Sequence, residues 1–139
     1  VWADLKFEPQ TLSPGGQPSR QDDINFDSTL HDYYREAIAL RKKFPDLVHG
    51  KMQMIGAENQ SRTFAFARTG AATLVAVFNR HPEEQTFTFQ FGNTDGTAAD
   101  PLAPIFVSSG QPSDVRVQQK EGKASITLPG STGALLKQK

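Results

Sequence analysis

The fold class is decided by residues 63–78, which read TFAFARTGAATLVAVF. The first part, 63–67, alternates in hydrophobicity with a period of two, which predicts a strand. The second part, 73–78, is a nearly continuous apolar run, as expected for a strand that is buried on both faces. Thr69-Gly70 between them is a turn signal, so two separate strands are predicted here.

The same signals continue along the chain from residue 50. Thr86–Phe91 alternates again. Weaker strand candidates are Lys51–Ala57, Pro104–Val107, Val115–Gln119, Ala124–Leu128 and Ala134–Leu136. Turn signals lie at Arg80–Pro82, Asp95-Gly96, Glu121-Gly122 and Pro129-Gly130. Short strands at this spacing predict a small antiparallel β-sandwich.

A helix is predicted over residues 28–44. Asp27, Ser28 and Thr29 can cap its N-terminus, and Pro45 cannot extend it. One side carries Leu30, Tyr33, Tyr34, Ala37, Ile38 and Arg41 at helical spacing. The two tyrosines belong to this apolar side, so we expect them to be buried. The predicted fold class is therefore mostly β, with one N-terminal amphipathic helix followed by a small antiparallel β-sandwich.

Residues 1–27 are polar and rich in Pro, Gly and Gln, and predict a long loop. A loop of this length is often functional or packed on a neighbouring element. Val1–Asp4 lacks the basic start and apolar stretch of a signal peptide. We expect any localisation signal to lie in a part that precedes Val1, so the compartment stays open.

Composition excludes several classes of function. Lys plus Arg equals Asp plus Glu, 15 each, so no basic face for nucleic acid or a membrane surface is expected. The 139-residue chain has no cysteine, which excludes disulfides and Cys-ligated metals. No apolar run approaches the roughly 20 residues of a membrane span.

Acidic residues do not form a recognisable catalytic or metal site. Asp22-Asp23 and Glu83-Glu84 are adjacent pairs, and neighbours on an extended chain point opposite ways. Asp23–Asp27 opens like a calcium loop, but Ser28 replaces the required Gly and Tyr34 replaces the bidentate Glu. Helix capping by Asp27 is the better interpretation.

Histidine and serine motifs are equally uninformative. His31, His49 and His81 share no ligand spacing. Ser108-Ser109-Gly110 is not a nucleophile elbow, and there is no phosphate-binding loop. The sequence therefore predicts no catalytic residue, no metal ligand and no cofactor site.

Aromatic residues argue against a sugar-binding platform in the β part. From residue 50 onward there is no Trp and no Tyr. The phenylalanines at strand spacing are expected to pack in the core: Phe64, Phe66, Phe87, Phe89 and Phe91. An α-glucan-binding module and a dimerisation domain nevertheless stay open as alternatives.

Residues 30–47, LHDYYREAIALRKKFPDL, carry a resemblance to a known family. They resemble the last barrel helix of the α-amylase superfamily, which often reads L-x-x-[FY]-Y-R-x-L-I-x-L-R, followed by Pro-x-Leu and Gly. Gly50 supplies the final Gly, and Ala37 departs from the usual Leu.

Other segments extend this resemblance over nearly the whole chain. Val1–Glu8 is similar to the stretch after the eighth strand in the neopullulanase, cyclomaltodextrinase and maltogenic amylase branch. Segments 64–68, 74–80, 128–129 and 133–136 resemble strands of the family's C-terminal β-domain. The resemblance implies that residues 1–49 are a remnant of the (β/α)8 barrel and that 50–139 form the C-terminal all-β domain.

The resemblance also implies what the chain does and what it lacks. The parent enzyme would hydrolyse or transfer α-1,4 or α-1,6 glucosidic bonds, but the family's three catalytic carboxylates lie on earlier barrel strands. Residues 1–27 would sit near the barrel rim and alone have a claim to touch substrate. The expected role is structural, with the barrel as partner. By itself the chain should expose the helix stripe unless its β-domain or a second copy covers it.

Overall fold

A computed structural model describes residues 28–92 and 99–139, together with the backbone pairing of two short strands, β1 (Leu12–Ser13) and β2 (Gln17–Pro18). The chain forms two compact units, Val1–Glu36 and Ala37–Lys139. The first unit contains the antiparallel pair β1–β2 and the start of a helix. The second contains the end of that helix and both sheets of a sandwich.

The predicted helix is confirmed as α1 (Ser28–Lys43), and a short helix α2 (Asp46–His49) follows it. The last backbone bond of α1 runs from the Phe44 N–H to the Leu40 carbonyl, 2.8 Å. Pro45 then stops the helix because it has no N–H to donate. Neither helix is long and apolar enough to cross a membrane, a finding limited to the described residues.

All eight strands predicted after residue 50 are present. They are β3 (Lys51–Glu58), β4 (Thr63–Thr69), β5 (Thr73–Asn79), β6 (Gln85–Gln90), β7 (Leu102–Val107), β8 (Arg116–Lys120), β9 (Lys123–Leu128) and β10 (Thr132–Gln138). A single 3₁₀ turn among the described residues, Pro112–Asp114, precedes β8. The β8–β9 turn has positive φ at Glu121 (53°) and Gly122 (72°), as a two-residue hairpin loop requires.

The strands form two antiparallel sheets, which confirms the predicted sandwich. The larger sheet has the order β3-β4-β5-β10-β7, and the smaller has the order β6-β9-β8. Strand β5 lies at the centre of the larger sheet, between β4 and β10. Strand β7 is at the edge, where Pro104 is tolerated beside a register shift between Leu135 and Leu136.

The core lies between the two sheets. Its fully or nearly fully buried members include Val75, Val77, Phe87, Phe89, Ile126, Leu128 and Leu136. The inward positions of β6 and β9 alternate with polar positions that are exposed or partly buried, as one-sided burial requires. In β5, by contrast, Leu74 to Val77 are all buried, which confirms the expectation of a strand covered on both faces.

Asn79 joins the two sheets through its buried side-chain amide. Its Nδ2 donates hydrogen bonds to the carbonyls of Glu83 (2.9 Å), Leu128 (3.2 Å) and Pro129 (2.9 Å). Its Oδ1 accepts one from the His81 N–H, 2.9 Å. The end of β5 is thereby connected to the segment that enters β6 and to the end of β9.

We predict that Asn79→Asp destabilises the chain by about 3 kcal/mol or more. The carboxylate can donate to none of the three carbonyls and places an unpaired charge in a buried site. The free energy of unfolding in urea measures the effect. Gln118→Glu, which likewise replaces an amide by a carboxylate but at an exposed position of β8, should change stability by less than about 0.5 kcal/mol. Equal losses for both variants would contradict this role of Asn79.

Candidate functional site: the outer face of the larger sheet

The larger sheet carries a second apolar cluster on the face that points away from the core. Leu74, Ala76 and Leu135 are its buried members. Seven partly buried residues pack against them: Leu40, Phe44, Leu47, Phe66, Phe78, Ile105 and Phe106. We call this side of the larger sheet the outer face. Because strands buried on both sides need two layers of cover, the outer face is a surface that something else must shield.

Strand register aligns the outer face into rows that cross the sheet. Ala76 lies opposite both Phe66 and Leu135, and these in turn lie opposite Met54 and Phe106. Directly opposite residues share a face, so this row runs across all five strands.

A second row contains Phe64, Phe78 and Gly133. The rings of Phe64 and Phe78 stack with centroids 4.6 Å apart. A Cβ on Gly133 would lie 2.9 Å from the Phe78 ring, so the ring needs the space that this glycine leaves. The row makes this end of the outer face aromatic.

The helices cover one part of the outer face. Leu40 and Phe44, four residues apart on one helix side, and Leu47 of α2 pack onto the cluster. The ammonium groups of Lys43 and Lys137 lie 5.5 and 5.8 Å from the centre of the Phe44 ring. The second half of α1 is thus part of the sandwich unit.

Asp46 fastens α2 to the sheet. Its two carboxylate oxygens accept hydrogen bonds from the N–H groups of Ala71 (3.2 Å) and Ala72 (2.9 Å) in the β4–β5 turn. A Cβ on Gly70 would overlap the carboxylate, so the turn can approach it only with glycine at this position. Arg68 adds a 2.9 Å bond from Nη1 to the Gly50 carbonyl. These bonds set where the helices cross the outer face.

The remainder of the outer face is open to solvent in this chain. Met52 and Met54 on edge strand β3 are 51% and 59% exposed. Phe64 and Phe78 are only partly buried. Contiguous apolar surface of this kind marks an interaction site on a folded domain.

The expected burial of Tyr33 and Tyr34 is wrong for this chain. Tyr33 is 36% exposed and Tyr34 58%, and Leu30 and Ile38 are exposed as well. Helical periodicity defines a face but not the element that covers it. These four side chains belong to the stripe that the chain by itself is expected to expose, and the β-domain does not bury them; cover by a second copy stays a prediction.

The phenylalanines divide between two places. Phe87 and Phe89 lie in the core and Phe91 packs against it, as predicted. Phe64 and Phe66 do not, because the inward positions of β4 are Ala65 and Ala67. Alternation showed that β4 has two unlike faces, and the larger side chains proved to be on the outer one.

The acidic and histidine residues that were considered as catalytic or metal-binding candidates are not brought together in the described part of the chain. Glu83 and Glu84 are exposed, and Glu84 forms a 2.6 Å ion pair with Arg116. The Nδ1 of His81 accepts a hydrogen bond from the Glu83 N–H, 3.1 Å. Within residues 28–92 and 99–139, no three His, Asp or Glu side chains form a group that could hold a metal ion. The Asp22-Asp23 pair and the calcium-like opening before Ser28 lie outside the described residues, as do the side chains of residues 1–27.

Comparison with known families identifies the sandwich. The family described as "Alpha amylase, C-terminal all-beta domain" matches residues 55–139. The chain belongs to this family of C-terminal all-β domains. A search of curated protein sequences finds no match.

Solved structures agree in fold. An α-amylase from H. orenii matches with 23% identity and a TM-score of 0.60, covering 89% of this chain and 23% of that one. A Nostoc punctiforme debranching enzyme matches with 20% identity and a TM-score of 0.65, covering 90% and 24%. A cyclomaltodextrinase gives 19% identity and a TM-score of 0.59, covering 86% and 19%. The chain thus spans about a quarter or less of each of these structures.

We predict that Asp46→Asn destabilises the chain by about 1–3 kcal/mol. An amide keeps one acceptor oxygen and turns an NH₂ toward an N–H donor that it cannot bind, so a charge-assisted hydrogen bond is lost. Thermal and urea unfolding measure the loss. Asp100→Asn, an exposed aspartate on the segment before β7, is the matched control and should be nearly neutral. If Asp46→Asn left the free energy of unfolding unchanged, the charge-assisted hydrogen bonds from the β4–β5 turn to Asp46 would not be needed to hold the helices in place.

Proposed function

We propose that this chain is the non-catalytic C-terminal end of an α-amylase-type glycoside hydrolase that acts on α-glucans. Residues 1–49 are the last part of its (β/α)8 barrel, and residues 50–139 are the C-terminal all-β domain. Its role is structural: the sandwich covers the flank of the barrel and holds the last barrel helix in place. The open outer face of the larger sheet is the observation that carries this proposal.

Family membership supports the first part. The matched family is by description a C-terminal domain, and the similar structures are those of an α-amylase, a debranching enzyme and a cyclomaltodextrinase. At least three quarters of each lies outside the region similar to this chain. A catalytic part of that size before Val1 would supply the cover that the outer face lacks.

The proposed parent reaction is retaining hydrolysis or transfer at α-1,4 or α-1,6 glucosidic bonds. In such a reaction a carboxylic acid protonates the leaving oxygen while a carboxylate forms the glycosyl-enzyme intermediate. No residue of this chain is assigned either part. The loop 1–27 would reach the rim where barrel active sites lie, so any contact of this chain with substrate belongs there.

Self-association is the second candidate, and the same exposed methionines favour it. An apolar face that lacks its barrel could instead be covered by a second copy. Sedimentation as a function of protein concentration distinguishes the two. A monomer at all concentrations removes this candidate.

We predict that the double substitution Met52→Glu with Met54→Glu lowers the stability of the barrel-carrying protein, that is, the longer protein that includes the catalytic barrel, and not that of the 139-residue chain. In the 139-residue chain the two side chains are exposed, so stability should change by less than about 0.5 kcal/mol. In the longer protein two carboxylates would be buried against an apolar partner, at a loss of about 2 kcal/mol or more. Unfolding midpoints of both proteins give the comparison.

Gln90→Glu with Gln118→Glu is the control pair for this experiment. Both glutamines are exposed on strands of the smaller sheet, so the same added charge should leave the barrel-carrying protein unaffected. If the methionine pair and the glutamine pair behave alike, the outer face does not dock onto the barrel.

Maltoheptaose titrated into the 139-residue chain should give no saturable heat up to millimolar ligand. Sugar platforms depend on exposed aromatic rings with hydrogen-bonding tips. Residues 50–139 contain neither Trp nor Tyr, and the exposed Tyr33 and Tyr34 of α1 belong to the helix stripe that this proposal assigns to the barrel. Isothermal calorimetry is the measurement. Saturable heat would assign glucan recognition to this chain and overturn its purely structural role.

A further inference from the structure

A cavity of about 510 Å³ opens at one end of the outer face, and it is positively charged. Arg62 and Arg80 line it together with Met54, Asn59 and Phe64. The backbones of the two arginines are adjacent, because the Arg80 N–H donates a 3.0 Å hydrogen bond to the Arg62 carbonyl. Both arginines are exposed and line the same concave space.

Neither arginine forms an ion pair within the described part of the chain. The ion pairs found there use other residues: His31, Asp32, Arg35, Glu84, Arg116, Lys120 and Glu121. Glu58, the one carboxylate among the lining residues, instead accepts a 2.7 Å hydrogen bond from the Ser61 hydroxyl. Like charges placed together repel, and a carboxylate between them would gain charge-assisted, bidentate hydrogen bonds.

The charged cavity is continuous with the apolar rows. Met54 and Phe64 belong both to its lining and to the outer face. A second concavity of about 360 Å³ shares Arg80 and extends past Phe78 to Ser108 and Ser131. An apolar centre with a polar, charged rim is the composition of a protein–protein interface.

We infer that an Asp or Glu carboxylate on the surface of the preceding catalytic barrel enters this cavity and pairs with Arg62 and Arg80. The inference rests on the proposed function, since it names the group with which the barrel meets the outer face. The apolar rows contribute contact area, and the arginine pair fixes the position at which the sandwich docks. Electrostatic complementarity of this kind selects register and partner more than it adds affinity.

Zero-length cross-linking tests the inference in the barrel-carrying protein. Arg62→Lys with Arg80→Lys places amines at the two positions, and a carbodiimide joins an amine to a carboxylate only where the two are in contact. The expected product is a peptide from position 62 or 80 joined to an Asp or Glu peptide of the barrel within one molecule. Lys120 and Lys123, exposed on the smaller sheet, should form no link to the barrel.

Charge reversal gives an independent readout. Arg62→Glu with Arg80→Glu should lower the unfolding midpoint of the barrel-carrying protein by about 2–4 °C or more and leave that of the 139-residue chain unchanged. Lys120→Glu with Lys123→Glu is the control and should change neither protein.

Three outcomes would overturn the inference. One is a link at 62 or 80 that joins two molecules, which would assign the cavity to a second copy of the chain. Another is protection of both lysines by inorganic phosphate in the 139-residue chain, which would assign it to a free anion. The third is the absence of any link at positions 62 and 80 when, in the separate experiment, Met52→Glu with Met54→Glu does destabilise the barrel-carrying protein. In that case the proposed function stands and the arginine contact fails.

Discussion

Burial of strand β5 on both faces is the constraint from which the rest of the structure follows. Val75 and Val77 face the smaller sheet, while Leu74 and Ala76 face away from it. Because every side chain from Leu74 to Val77 is apolar, neither side of this strand can be left in water without a large loss of hydrophobic stabilisation. The sandwich covers one side, and the other side requires a partner from outside the sandwich.

The helices supply part of that partner. The second half of α1, together with α2, lies on the outer face, and the Asp46 carboxylate holds it against the β4–β5 turn. In a barrel enzyme this would connect the last barrel helix rigidly to the C-terminal domain.

Apolar and charged residues have different roles on the outer face. One apolar row crosses all five strands and a second crosses β4, β5 and β10. Both contribute contact area without fixing a direction, since hydrophobic burial is not directional. Charged residues lie beside these rows: Arg62 and Arg80 at the adjacent ends of β4 and β5, and Lys43 and Lys137 near the Phe44 ring. Charged groups of defined geometry give such a surface a preferred position on its partner.

Local periodicity in the sequence determined the elements: the helix, all eight strands after residue 50, and most of the turns between them. The family to which the sandwich proved to belong was implied by the resemblance of residues 30–47 to the last barrel helix of the α-amylase superfamily, a motif that is contiguous in the sequence. Long-range geometry was decided only in the tertiary structure. The amide of Asn79 meets a carbonyl 49 positions away, Asp46 meets a turn 25 positions away, and Arg62 lies beside Arg80. Alternation likewise could not tell which face of β4 points to the core, nor periodicity what covers Tyr34. Spacing along a chain records which residues share a face, whereas the partner of that face depends on how distant segments pack.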